Sequence, residues 1–172
     1  MYWFYNILSL VIAAAAIVYA FNLFKQIMQK DGGDAKMQEI ARAVQEGGRA
    51  FLHAEYKWLA VFVAVVFVLL CLGSDNPAEG QFLGWRTGIA FLLGALASGT
   101  AGYFGMHCAT RAAVRTTQAA KSSLGAALDV AFKSGTVMGM VVVGMGLLGI
   151  SLLMLLFRQD GDVNFVNYVL GF

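Results

Sequence analysis

His107-Cys108 places an imidazole and a thiol side by side, two of the ligand types from which zinc and other transition-metal sites are built. A closed site needs about four such ligands. The only other histidine is His53 and the only other cysteine Cys71, and neither sits in a second pair. The structural reading of His107-Cys108 is therefore preferred. Arg111 and Arg115, one helical turn apart, carry the forked guanidinium that suits phosphate. The same spacing serves as an anchor to lipid headgroups or to helix C-terminal carbonyls, and without a partner motif that commoner use is preferred. Asn22 and His107 are the strongest polar candidates within apolar surroundings, each near the end of its segment. The long apolar stretches contain no Asp or Glu, so no proton relay, ion ligand or substrate-binding carboxylate is expected at membrane depth. No glycine-rich phosphate loop follows a strand, since no strand is expected. Cys71 and Cys108 are expected near opposite membrane faces, well beyond the roughly 4.4–6.8 Å Cα separation of a disulfide. They read as isolated thiols.

The elements that position these residues follow from the charge distribution. The 172 residues are 59% hydrophobic and 13% charged, with mean hydropathy +0.70. Soluble domains are nearer 45–50% apolar and about 25% charged, so this composition excludes a soluble domain and, more firmly, a disordered chain. Met1–Phe24, Trp58–Ser74, Thr87–Thr110 and Ser134–Phe157 carry no charged side chain. A spanning helix needs about 20 apolar residues to cross about 30 Å of hydrocarbon. Three runs meet that length, and the second gains Tyr56 and Lys57, which reach the interface by snorkelling. The expectation is an all-α membrane protein, one transmembrane domain over 1–172, with four spans at about 2–24, 57–74, 86–110 and 134–157. Two amphipathic helical connections are expected on the cytoplasmic side.

Orientation follows from the basic residues. Lys25, Lys30, Lys36, Arg42, Arg49 and Lys57 lie between the first two spans, and Arg111, Arg115, Lys121 and Lys133 between the last two. Only Arg86 and Arg158 lie on the other side. This bias puts both long connections in the cytoplasm and both chain ends outside. Trp3, Trp58 and Trp85 at span ends agree. Met1–Phe24 lacks the basic leading region of a signal peptide and reads as a retained helix. Six acids, namely Asp31, Asp34, Glu39, Glu46, Glu55 and Asp129, are interspersed with the basic residues, so no nucleic-acid partner is expected.

Asp34 is the expected N-cap of a helix over 35–55, with Met37, Ile40, Val44 and Phe51 on one side. Its Gly47-Gly48 pair favours a helix docked on other protein over one lying on the membrane. Ser122-Ser123 is expected to cap the helix that continues into the fourth span. Gly94, Ser98, Gly102 and Gly105 share one narrow arc of the third span, and Gly135, Gly139, Gly146 and Gly149 one of the fourth. Small stripes set helix packing in lipid, so both spans are expected to have close neighbours, either each other or helices elsewhere.

Three stretches carry a resemblance. They are Gly33-Asp34-Ala35-Lys36-Met37-Gln38-Glu39-Ile40-Ala41 through Gln45-Glu46-Gly47, then Ala109-Thr110-Arg111-Ala112 with Val114-Arg115-Thr116, and Ala127-Leu128-Asp129-Val130-Ala131-Phe132. In this order they resemble the N-terminal portion of the ion-translocating membrane-bound inorganic pyrophosphatases. The chain departs from the family at Ala113, where Asn is usual, and at Glu55, where Gln is common. The resemblance implies cytoplasmic hydrolysis of pyrophosphate coupled to export of H⁺ or Na⁺ across the cell (inner) membrane. It implies a homodimer of roughly sixteen spans per subunit, with these four in a supporting outer ring and the rest of the pump polypeptide around them. Mg²⁺ is implied as cofactor, with K⁺ in some members. The family's carboxylates begin in the helix that would follow Val169-Leu170-Gly171-Phe172, so no catalytic, metal or substrate-binding residue is carried onto this chain, which is expected to be inactive alone. The alternatives are a stand-alone four-helix membrane scaffold and a small transporter subunit.

Overall fold

A computed structural model describes residues 2–73, 75–76, 81–82, 84–157 and 169–172. Arg158 and Ser74, which entered the orientation and span expectations, lie outside them. Four helices account for nearly all of it: α1 (Tyr2–Met28), α2 (Ala35–Cys71), α3 (Trp85–Ala120) and α4 (Leu124–Phe157). All four are long and apolar enough to cross a membrane. One expectation is corrected: Asp75–Asn76 (β1) and Gln81–Phe82 (β2) pair antiparallel, Asp75 opposite Phe82.

The amphipathic stretches expected as separate connections are continuous with the spans. α2 runs unbroken for 37 residues, about 55 Å at 1.5 Å per residue, against about 30 Å of hydrocarbon. Its leading half therefore prolongs the axis of the span instead of lying along a surface. α3 and α4 overshoot in the same way, so one end of the molecule is a charge-rich group of helix extensions. The turn that starts α2 is specified locally. Gly33 takes φ +80, the left-handed region that glycine enters without a Cβ penalty. The Asp31 carboxylate accepts from the Gly33 N–H at 3.0 Å, and the Asp34 carboxylate caps α2 by accepting from the Met37 N–H at 2.9 Å. At the α3–α4 turn the expected serines divide the work. The Ser122 hydroxyl donates to the Ala119 carbonyl at 2.7 Å, and the Ser123 hydroxyl accepts from the Ala126 N–H at 3.1 Å.

Spatial order differs from chain order. Among the described residues α4 packs extensively on both α3 and α1, and α2 packs mainly on α3. α1 and α2, consecutive in the chain, make no extensive contact. The larger core lies toward the charge-rich end, where Ala20, Leu23 and Ile27 of α1 meet Cys108 and Ala112 of α3 and Val130 and Val137 of α4. A smaller one at the opposite end joins Ala90, Leu153 and Phe157, with Val169 and Phe172 packed against it. Phe172 lies against both Gly94 and Gly149, and those two members of the small stripes are filled by it.

One close helix approach uses a glycine outside the expected arcs. A Cβ at Gly144 of α4 would stand 2.7 Å from Ile17 Cγ1 and 3.2 Å from the Ala13 carbonyl oxygen of α1. Gly105 faces Met138, so α3 and α4 do meet across one predicted position. A Cβ at Gly135, Gly139 or Gly146 would meet none of the described residues within 4 Å beyond its own turn of helix. At Gly47-Gly48, only Gly48 approaches α3, near Thr110 and Met106, while Gly47 stands open.

Candidate functional site

The charge-rich end is held by a chain of polar contacts between the α1–α2 turn and the end of α3. Arg115 donates from Nε to the Lys30 carbonyl at 3.2 Å and from Nη2 to the Met28 carbonyl at 3.5 Å. Its Nη1 donates to the Arg111 carbonyl at 2.8 Å. The Met28 carbonyl is the last of α1 and the Lys30 carbonyl lies just beyond it, at an end that has no intrahelical donors left and carries the negative end of the helix dipole. Of the roles weighed for the arginine pair, Arg115 thus serves as a helix C-terminal anchor. Arg111 donates to the His107 carbonyl at 3.2 Å.

Beside it, the Gln118 amide donates to Asp31 at 2.8 Å and the Lys121 ammonium to Asp34 at 3.3 Å. The Gly33 N–H, and then Gln118, hold the Asp31 carboxyl below the usual carboxylate range. The Met37 N–H, and then Lys121, do the same for Asp34. On α4 the Lys133 ammonium, 2.9 Å away, lowers Asp129. All three carboxylates are open to solvent, so these contacts fix geometry more than they stabilise.

His107 packs between Phe24 and Tyr103, ring centroids 5.9 and 6.0 Å away. Cys108 is buried, 3.7 Å from the Ser134 hydroxyl. Neither it nor Cys71 is in a disulfide. Among the described residues no group of three or more His, Cys, Asp or Glu side chains could hold a metal. No described residue is therefore assigned to Mg²⁺. Asn22 lies exposed on α1.

The polar contacts at membrane depth are elsewhere. The Ser151 hydroxyl of α4 donates to the Ser9 hydroxyl of α1 at 2.9 Å, and the Asn6 amide donates to the Ser151 carbonyl at 3.4 Å. Sequence reasoning missed this group. Its signal was available, since Asn6 and Ser9 stand one turn apart in the apolar leading half of α1, a pattern that serves helix association in lipid. Between α2 and α3 the helices part around a groove of about 960 Å³, bridged where the Tyr56 hydroxyl donates to the Gly99 carbonyl at 2.5 Å. These arrangements join helices, and none brings a nucleophile, base and anion site together.

Comparison with known proteins gives a consistent result. The family model described as inorganic H⁺ pyrophosphatase matches residues 14–172. A Clostridium tetani protein provisionally named a K(+)-stimulated pyrophosphate-energized sodium pump is 45% identical over 136 residues, covering 79% of this chain and 18% of that protein. A K(+)-insensitive pyrophosphate-energized proton pump of Pyrobaculum aerophilum is 37% identical over 156 residues, 90% of this chain and 21% of its own. One of the same name from Streptomyces avermitilis is 38% identical over 175 residues, covering 94% and 22%. The chain spans about a fifth of the length of these curated relatives.

Proposed function

Because the chain belongs to the inorganic H⁺ pyrophosphatase family, we propose that it forms four supporting helices of a pump that couples pyrophosphate hydrolysis to export of H⁺ or Na⁺. The observation that carries this reading is the match over residues 14–172 to relatives of which the chain covers about a fifth. The ten basic residues of the charge-rich end support an orientation with that end in the cytoplasm and both ends of the chain on the outer side of the cell (inner) membrane. Hydrolysis then takes place on the side of the latch formed by Arg115, Gln118 and Lys121. The complete pump is a homodimer that requires Mg²⁺, and K⁺ where it is of the stimulated type. Mg²⁺ supplies charge neutralisation of the diphosphate, on carboxylates contributed by other parts of the polypeptide.

The work of this chain is mechanical. Gly135, Gly139 and Gly146 leave α4 with an open small-residue face, the kind of surface that lets another helix backbone approach closely in lipid. α2, whose apolar window has no buried residue, presents a second face to the rest of the pump.

Reconstitution tests both levels. Vesicles holding the complete polypeptide should accumulate H⁺ or Na⁺ when given pyrophosphate and Mg²⁺, while the 172-residue chain alone should hydrolyse none. Complete polypeptide without pyrophosphatase activity overturns the pump reading. Turnover by the short chain overturns its supporting role.

A further inference from the structure

α2 meets α3 at three levels. Near the charge-rich end, Gly48 of α2 lies against Thr110 and Met106. At the far end, Phe67 and Cys71 lie against Gly88 of α3. Between these levels, on the wall of the groove, Tyr56 reaches α3 with its hydroxyl. The outer two contacts are side chains resting on glycine, whereas the middle one is a hydrogen bond. Lys57 and Trp58 follow Tyr56 at the start of the uncharged run, so this bond stands near the membrane interface, within reach of water.

The hydroxyl donates to the Gly99 carbonyl, and the Tyr103 N–H reaches the same hydroxyl. Gly99 and Tyr103 are the i and i+4 members of one rung of the helical ladder. Tyr56 thus shares both halves of a bond that α3 can make by itself. Its approach depends on Gly102, where a Cβ would stand 3.1 Å from the Tyr56 hydroxyl oxygen. This stretch of α3 is also pliable. Gly94, Gly99, Gly102 and Gly105 fall within about three turns, and each lowers helix propensity. The Thr100 hydroxyl donates back to the Leu96 carbonyl, a bond that weakens and bends helices.

Two arrangements therefore satisfy the same backbone groups. In the structure the Tyr56 hydroxyl joins the rung and ties α2 to it. In the alternative the rung closes on itself and the hydroxyl turns to interfacial water. Neither leaves an orphan donor or acceptor, which is the condition for the two to lie close in free energy. We propose that Tyr56 is a latch between α2 and α3: withdrawal of its hydroxyl from the Gly99–Tyr103 rung lets α2 move off α3 and widens the groove between them. This goes beyond the pump reading and needs only the helical fold.

The test uses the complete polypeptide, otherwise free of cysteine, in lipid nanodiscs. Spin labels go on cysteines placed at Val65 of α2 and Leu96 of α3, both exposed in this chain. Tyr56→Phe should raise a longer component of the distance distribution about fivefold over the parent, the weight of one hydrogen bond. Gly102→Ala, which crowds the hydroxyl, should raise the same component, and joining the two substitutions should add nothing further. Tyr103→Phe removes a hydroxyl from the same stretch but not the shared one, and should leave the distances unchanged. Hydrogen exchange at the Tyr103 amide separates a latch from simple loss of packing. A rung closed on itself keeps that amide as protected in Tyr56→Phe as in the parent, whereas loosened packing speeds its exchange. Unchanged distances in Tyr56→Phe, the same change from Tyr103→Phe, additive effects of the pair, or faster exchange at Tyr103 overturns the proposal.

Discussion

The Arg115 guanidinium reaches the Lys30 carbonyl at 3.2 Å, across 85 positions of chain, and with its second bond to Met28 closes the end of α1 with a side chain from α3. The cation meets the negative end of a helix dipole and the orphan carbonyls at once. Arg115→Gln should lower stability by about 1–2 kcal/mol, the range for bonds from a charged donor near a surface. Arg115→Lys should recover only part of this, because a point charge cannot reproduce the fork. Unfolding midpoints of the three proteins in micelles decide it, and equal midpoints would exclude the anchor.

Glycine positions should respond oppositely according to what they face. Gly144→Val crowds Ile17 and the Ala13 backbone, and should cost about 1–3 kcal/mol or separate α1 from α4. Gly47→Ala meets open space inside α2 and should stabilise by about 0.5–1 kcal/mol. Denaturation in mixed micelles gives both signs in one experiment.

The hydroxyl pair inside the bundle should behave as a unit. A double-mutant cycle with Ser9→Ala and Ser151→Ala should return a coupling energy of about 0.6 kcal/mol, typical of hydrogen bonds between membrane helices. Additive single effects would mean that the hydroxyls do not bond.

The α1–α2 turn should loosen in acid. Asp31 and Asp34 have folded pKa values lowered from 3.8, so their contribution is fully present above about that value and disappears as pH falls through the lower folded values. Asp34→Asn keeps a side chain able to cap α2 but removes the charge facing Lys121. It should flatten the acid limb of a plot of unfolding midpoint against pH, and an unchanged limb would assign the loss to other carboxylates.

How much of this was legible in the residues depends on the scale of the question. Uncharged runs and capping side chains act locally, and Asp34 and Ser123 cap helices as their types suggest. Partner choice does not act locally. The arc of Gly135, Gly139 and Gly146 signals room for a close neighbour without saying which one, and among the described residues it meets none. Gly144, off that arc, takes the tight contact because α1 returns to α4. Likewise Arg115 could be seen as an anchor, but its target appears only once α1 and α3 are side by side. The continuity of α2 was missed because the charged and uncharged halves look like separate elements, while the backbone hydrogen-bond ladder is indifferent to that change.

The α1–α4 packing has a consequence for the order of events during synthesis. α1 leaves the ribosome first, yet its main partner α4 is the last of the four, ending 129 positions later. At translation speeds of about 5–20 residues per second, α1 waits on the order of ten seconds for that partner. Through that interval its face bearing Asn6, Ser9 and Ala13 must be covered by lipid or by an insertion chaperone. Of the four helices, α1 is thus made first and waits longest for its main partner.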